Sequence, residues 1–102
     1  MTNNQNDNSL PLSNSEAVPD VPTFACLIYL SRDEEGRSHA RVANLDSLRA
    51  TAATPRDAMA RVCREFKQRV RAAYAAGEKI DWIEPVEEPG PDEQVRSIPV
   101  HL

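Results

Sequence analysis

The residues most suited to chemistry in this 102-residue chain are its two histidines, its two cysteines and a short run of acids. His39 and His101 each stand alone in an alternating segment, without a second ligand at metal-binding spacing. Cys63 has basic neighbours that would lower a thiol pKa, but it falls in an apolar stripe where burial raises that pKa. We therefore predict structural histidines, a core cysteine and no metal site.

Three consecutive acids, Asp33, Glu34 and Glu35, have the composition of a nuclease carboxylate pair. They precede Gly36 in a polar stretch typical of a turn, so we interpret them as solvated turn residues. The sequence contains no phosphate-binding glycine motif, no nucleophile elbow and no CxxC pair. We predict no catalytic residue and no cofactor, and keep a hydrolase remnant as a third hypothesis.

Four cations recur at helical spacing, and we name them as candidate partner-binding residues: Arg61, Arg64, Lys67 and Arg71. Residues 54–76 carry six basic residues against two acids, whereas residues 78–93 carry seven acids against Lys79. The net charge is +4 for residues 54–76 and −6 for residues 78–93. We expect a solvated basic face that the acidic segment neutralises. The alternative is a nucleic-acid-binding module that uses the basic face of helix 54–76.

Two aromatic residues complete the candidate partner-binding set. Trp82 lies in the acidic segment among apolar neighbours, and we favour core packing over a role as an interface anchor. Tyr29 falls on the second apolar face of the first strand, which must be covered by residues 78–93 or by another subunit.

Composition excludes several classes of protein. The net charge of −4 argues against sequence-independent nucleic-acid binding by the whole molecule. The longest apolar run, residues 24–30, suits a strand and is too short to cross a bilayer. Two core cysteines without a signal-like leader indicate a reducing compartment, so we expect a cytoplasmic protein.

The elements follow from periodicity and turn residues. Residues 1–22 are polar and proline-containing, and we predict a disordered tail followed by one α+β domain over residues 23–102. Residues 23–30 and 38–43 predict a hairpin with Gly36 in its turn, and residues 48–53 a short third strand. Residues 95–102 predict an edge strand, with the nitrogen of Pro99 turned outward.

The helix has the clearest signals at both ends. Thr54 suits the N-cap, Pro55 the first helical position and Gly77 the left-handed C-cap. The expected core stripe contains seven residues: Met59, Val62, Cys63, Phe66, Val70, Ala73 and Tyr74. The predicted fold is β-β-β-α-β, an antiparallel meander plus an edge strand in the order 3-2-1-4, with the long helix on one face.

This element order resembles the HicB-like antitoxin family, which has a partial ribonuclease-H-like fold. Residues 45–58, LDSLRATAATPRDA, are similar to that family's strand and turn followed by a Thr-capped helix with an acid and alanine at its start. The resemblance implies a protein that binds and blocks a small RNA-cleaving toxin. It also implies a C-terminal DNA-binding module, which we do not expect after Leu102.

We therefore predict a non-enzymatic interaction domain that binds a small, toxin-like protein partner or itself. Modest burial in about 80 residues favours a homo-oligomer. We expect no membrane association, and nucleic acid is the less favoured ligand.

Overall fold

A computed structural model describes residues 22–102. In chain order its elements are β1 (Thr23–Arg32), β2 (Ser38–Val42), β3 (Arg49–Ala52), α1 (Pro55–Ala76) and β4 (Gln94–His101). The predicted α+β class and β-β-β-α-β order are confirmed. The tail prediction falls outside the described residues, except that Pro22 accepts a hydrogen bond from the Leu102 N–H at 3.0 Å.

The four strands form one antiparallel sheet in the order β3-β2-β1-β4. This is the predicted order, with β1 in the interior and β4 at an edge. Residue Ile28 marks the centre of β1, because it pairs with Val42 on one side and Arg96 on the other.

The β1–β2 hairpin turns where the acids and glycine predict. The Asp33 N–H donates to the Arg37 carbonyl at 2.9 Å, and Gly36 adopts a φ of 84° that favours glycine. The Asp33 carboxylate accepts hydrogen bonds from the backbone N–H groups of Glu35 and Arg37. These acids are turn residues, as predicted.

Helix α1 begins and ends at its predicted caps. The Asp57 N–H donates to the Thr54 side chain at 3.1 Å, and Gly77 takes a φ of 69°. Its fully buried residues lie four apart: Ala58, Val62, Phe66 and Val70. Four residues overshoot one turn of 3.6, so this row drifts round the helix. The next member, Tyr74, is 58% exposed, and its predicted place in the core was wrong.

The core lies between α1 and one face of the sheet. It joins the helix row to Cys26, Ile28 and Leu30 of β1, and to small residues of β2 and β3 such as Ala40 and Ala52. Small side chains let the helix approach these two strands closely. Within the described residues, no helix is long and apolar enough to cross a membrane.

Residues 78–93 connect the helix to β4, and we call them the acidic strap. Ile80 and Trp82 pack against the core. The Ile83 N–H then donates to the Asn44 carbonyl at 3.1 Å, and later residues cross the sheet face opposite α1. The strap covers Tyr29 and half-buries Leu27, but Ala25 stays exposed. The sequence predicted that residues 78–93 or another subunit would cover this face. The strap, residues 78–93, covers part of it.

Candidate functional site

The four candidate cations on the basic face of α1 fall into two groups according to their hydrogen bonds. Arg61 donates to the Thr51 carbonyl at 3.0 Å, and Arg71 to the Leu102 carbonyl at 3.4 Å, so both guanidinium groups reach towards the chain's own backbone. Arg64 and Lys67 form no ion pair or hydrogen bond with any described residue. They are the members of the predicted set with free charges.

The prediction that the acidic strap neutralises this face was wrong. Among the described residues, no ion pair joins α1 to the strap, because the strap leaves the helix side after Trp82 and crosses the other face of the sheet. Its ion pairs are made with Arg41 on β2 instead. The sheet therefore separates the basic helix face from most of the strap.

Arg41 holds the strap through two carboxylates. Its Nε and Nη2 donate to the two Glu93 oxygens at 2.7 and 2.8 Å, and its Nη1 donates to Glu87 at 2.7 Å. The hydrogen bonds from Arg41 lower the pKa of Glu93 to about 2, and those from Glu93 and Glu87 raise the pKa of Arg41. This cluster was not predicted from the sequence.

Tyr29 is part of the same attachment and not an exposed partner-binding residue. It is 3% exposed, and its hydroxyl donates to the Glu87 carbonyl at 2.6 Å. The Arg41 guanidinium carbon lies 5.0 Å from its ring centroid, within cation–π range. The strap therefore makes Tyr29 inaccessible to a partner.

Trp82 packs in the interior, as favoured from the sequence. Its ring centroid lies 5.9 Å from those of both Phe24 and Phe66, with interplanar angles of 27° and 38°. The residue is half-buried and fills the gap between β1 and α1 at the start of the strap. It serves as an attachment of the strap rather than an exposed anchor.

His39 does not stand alone, contrary to expectation. Its Nε2 lies 2.8 Å from Asp33 Oδ2, and its Nδ1 lies 2.9 Å from Thr51 Oγ1. The hydrogen bond with His39 is the main reason that the pKa of Asp33 falls to about 2, and the backbone N–H groups of Arg37 and Glu35 add to it. Both ring nitrogens make contacts within the chain, so the row formed by Asp33, His39 and Thr51 connects the hairpin turn to β3.

An open cleft of about 330 Å³ lies beside this row on the outer sheet face. Arg41, Arg49 and Thr51 line it together with the Glu93 carboxylate. Arg49 is exposed, and its side chain makes no hydrogen bond to a described residue. The cleft's Arg41 and Glu93 pair with each other, so that among the described residues Arg49 is the cation of the cleft without an ion pair.

The remaining predicted groups are structural in this fold. His101 contacts the Thr23 hydroxyl at 3.0 Å. Cys26 is buried and Cys63 half-buried, and burial is the main reason that both thiol pKa values are raised. Residues 22–102 contain no group of three His, Cys, Asp or Glu side chains placed to hold a metal ion.

Comparison of the chain with protein-family models, with curated proteins and with solved structures returns no match.

Proposed function

We propose that this chain is a cytoplasmic, non-enzymatic protein-interaction domain that binds a small protein partner, such as an RNA-cleaving toxin, or a second copy of itself. Its element order, similar to that of HicB-type antitoxins, supports the proposal. One observation carries it: opposite charges are held on opposite faces of the sheet, and neither set neutralises the other.

The exposed surface of the acidic strap is the surface suited to an RNA-cleaving partner. Beyond Trp82, three of its carboxylates are exposed and form no ion pair among the described residues: Glu84, Glu88 and Asp92. A protein that binds RNA presents a basic surface to phosphates. A strap fixed on the sheet by Arg41 offers carboxylates to such a surface, and complementary charge gives an interface its specificity and speed of association.

Isothermal titration against a small RNA-cleaving toxin, taken from a reading frame beside this one where such a frame exists, tests the proposal. We expect Glu84→Lys with Glu88→Lys to weaken binding at least about tenfold, because both charges are reversed on the proposed surface. Arg64→Glu with Lys67→Glu is the matched control on the helix face and should leave affinity within about threefold. Absence of binding at low salt, or equal loss in both variants, contradicts the proposed surface.

A second candidate is nucleic-acid binding by α1, favoured by the free charges of Arg64 and Lys67. Phosphate contacts release counterions, so this binding would weaken steeply with salt, and the double Glu variant would reduce the slope. Fluorescence anisotropy with RNA and DNA at low salt decides the matter. We expect protein binding to dominate, because the whole chain carries a net charge of −4.

A further inference from the structure

Strand β4 forms one edge of the sheet, and no other described strand pairs with its outer side. The hydrogen bond from the Leu102 N–H to the Pro22 carbonyl continues the register of the β1–β4 ladder. Hydrogen-bonded and non-hydrogen-bonded pairs alternate in an antiparallel ladder, so residues 94, 96, 98 and 100 face β1. The odd-numbered residues from Val95 to His101 therefore direct their C=O groups outward and, except at Pro99, their N–H groups as well.

The other edge of the sheet is shorter and partly covered. Strand β3 has four residues against eight in β4. By the same alternation Arg49 and Thr51 point outward, but Arg61 of the helix already donates to the Thr51 carbonyl at 3.0 Å. The edge of β4 is thus the longer surface for pairing with another strand.

We propose that β4 pairs antiparallel with β4 of a second copy of this chain, about a two-fold axis at Ser97. The two four-stranded sheets then form one continuous sheet of eight strands. Because both copies use the same edge, the assembly closes as a dimer. This inference rests on the proposed function, of which it specifies the self-association.

Pro99 selects the register. It has no N–H, so a carbonyl opposite it loses a donor. In pairing centred on Ser97, Pro99 faces Val95 of the second copy, whose carbonyl already accepts from its own Arg96 at 2.9 Å. The Val95 N–H then donates to the Pro99 carbonyl, and the two Ser97 residues exchange both backbone bonds. Four backbone hydrogen bonds form. The Val95 carbonyl receives no hydrogen bond from Pro99, but it already accepts one from Arg96.

Each neighbouring register has a defect that pairing centred on Ser97 lacks. Pairing centred on Ile98 sets Ser97 against Pro99 and leaves the Ser97 carbonyl without a donor. Pairing centred on Pro99 sets two prolines opposite each other, without an N–H between them. Pairing centred on Arg96 places two guanidinium groups directly across from each other, which is destabilising.

Side chains favour the same register on the outer face of the sheet. Val95 is 46% exposed, one of two large hydrophobic residues exposed among those described. The proposed pairing places it directly across from Pro99 of the second copy, so that both apolar side chains are covered.

Sedimentation velocity of the full chain tests the dimer between about 10 µM and about 1 mM, the range of small interfaces. We expect the mass to rise from 11.3 kDa towards twice that value. Ser97→Pro removes an outward N–H and no bond of the β1–β4 ladder, so it should weaken dimerisation at least about tenfold while circular dichroism stays unchanged. His101→Pro, outside the paired stretch, is the control. A monomer throughout, or dimerisation unaffected by Ser97→Pro, overturns the proposal.

Cross-linking tests the register. A hydrogen-bonded pair has Cα atoms about 5.5 Å apart, within disulfide range, so Ser97→Cys should form a disulfide-linked dimer on air oxidation. His101→Cys should not form such a disulfide, because position 101 of one copy lies opposite position 93 of the other copy and not opposite position 101. Peptide mapping separates these links from Cys26 and Cys63, and a dimer without the 97–97 link overturns the register. If Ser97→Pro abolishes the dimer but still binds the small protein partner, the two proposals stand separately.

Discussion

Arg41 and Glu93 form a two-point ion pair across 52 residues of sequence, and this pair closes the acidic strap over the outer face of the sheet. Their oxygen–nitrogen distances are 2.7 and 2.8 Å, and the Glu93 side chain is 16% exposed. Partly buried, charge-assisted hydrogen bonds are stronger than exposed ion pairs. The pair therefore fixes the strap to the sheet and stabilises it more than an exposed surface ion pair would.

Glu93→Gln should lower the free energy of unfolding by about 1–2 kcal/mol, because the amide keeps the shape of the carboxylate but loses its charge and one acceptor. Urea denaturation followed by Trp82 fluorescence measures the change. Glu88→Gln, on the same strap but exposed and unpaired, should stay within about 0.5 kcal/mol of the wild type. Equal effects in the two variants would show that Arg41 does not hold the strap.

Stability should also fall in acid, through the same carboxylate and the hairpin turn. The pKa values of Glu93 and Asp33 are about 2, against ordinary values of 4.5 and 3.8. Between these values the unfolded chain binds protons that the folded chain does not, so stability rises with pH. We expect a plateau above about pH 5 and a decline towards pH 2. Urea midpoints across this range should decline less steeply for Glu93→Gln than for wild type.

Local signals were enough to predict most of the fold. Thr54, Pro55 and Gly77 act within a few residues of the helix ends, and the alternation in β1 shows directly that both its faces are apolar. The path of the strap was not readable, because it depends on Arg41 reaching acids in a segment without periodicity. For that reason the charge balance of the helix was predicted wrongly, and the choice between the strap and another subunit as the cover of Tyr29 stayed open.

The contact between Asp33 and His39 follows from the strand register rather than from spacing along the chain. A hairpin turning at Gly36 sets Ser31 opposite His39, and Asp33 follows two residues later, just past the end of β1. The next strand sets Thr51 opposite His39. Counting the register would have placed the carboxylate, imidazole and hydroxyl together, whereas spacing along the chain alone does not.

Trp82→Ala should be among the more destabilising changes in the strap. The substitution removes ring contacts with Phe24 and Phe66 and opens a gap between β1 and α1, and for a half-buried tryptophan we expect a loss of about 2–3 kcal/mol. Trp82→Phe keeps a ring in the gap and should lose less than half as much. Thermal unfolding by circular dichroism measures both. A loss below about 0.5 kcal/mol for alanine would show that the ring is solvated, as an exposed anchor would be.

Ser38→Ala should stabilise the protein. Ser38 is 1% exposed at the start of β2, and its hydroxyl has no hydrogen-bond partner among the described residues. A buried polar group without a partner costs about 1–3 kcal/mol, and alanine removes the hydroxyl without opening a large cavity. We expect an increase of about 1 kcal/mol in the free energy of unfolding, measured by urea denaturation. Ser97→Ala, at an exposed position of β4, is the control and should change it by less than about 0.5 kcal/mol. A loss of stability in Ser38→Ala would mean that the hydroxyl is hydrogen-bonded in solution, with a water molecule as the available partner.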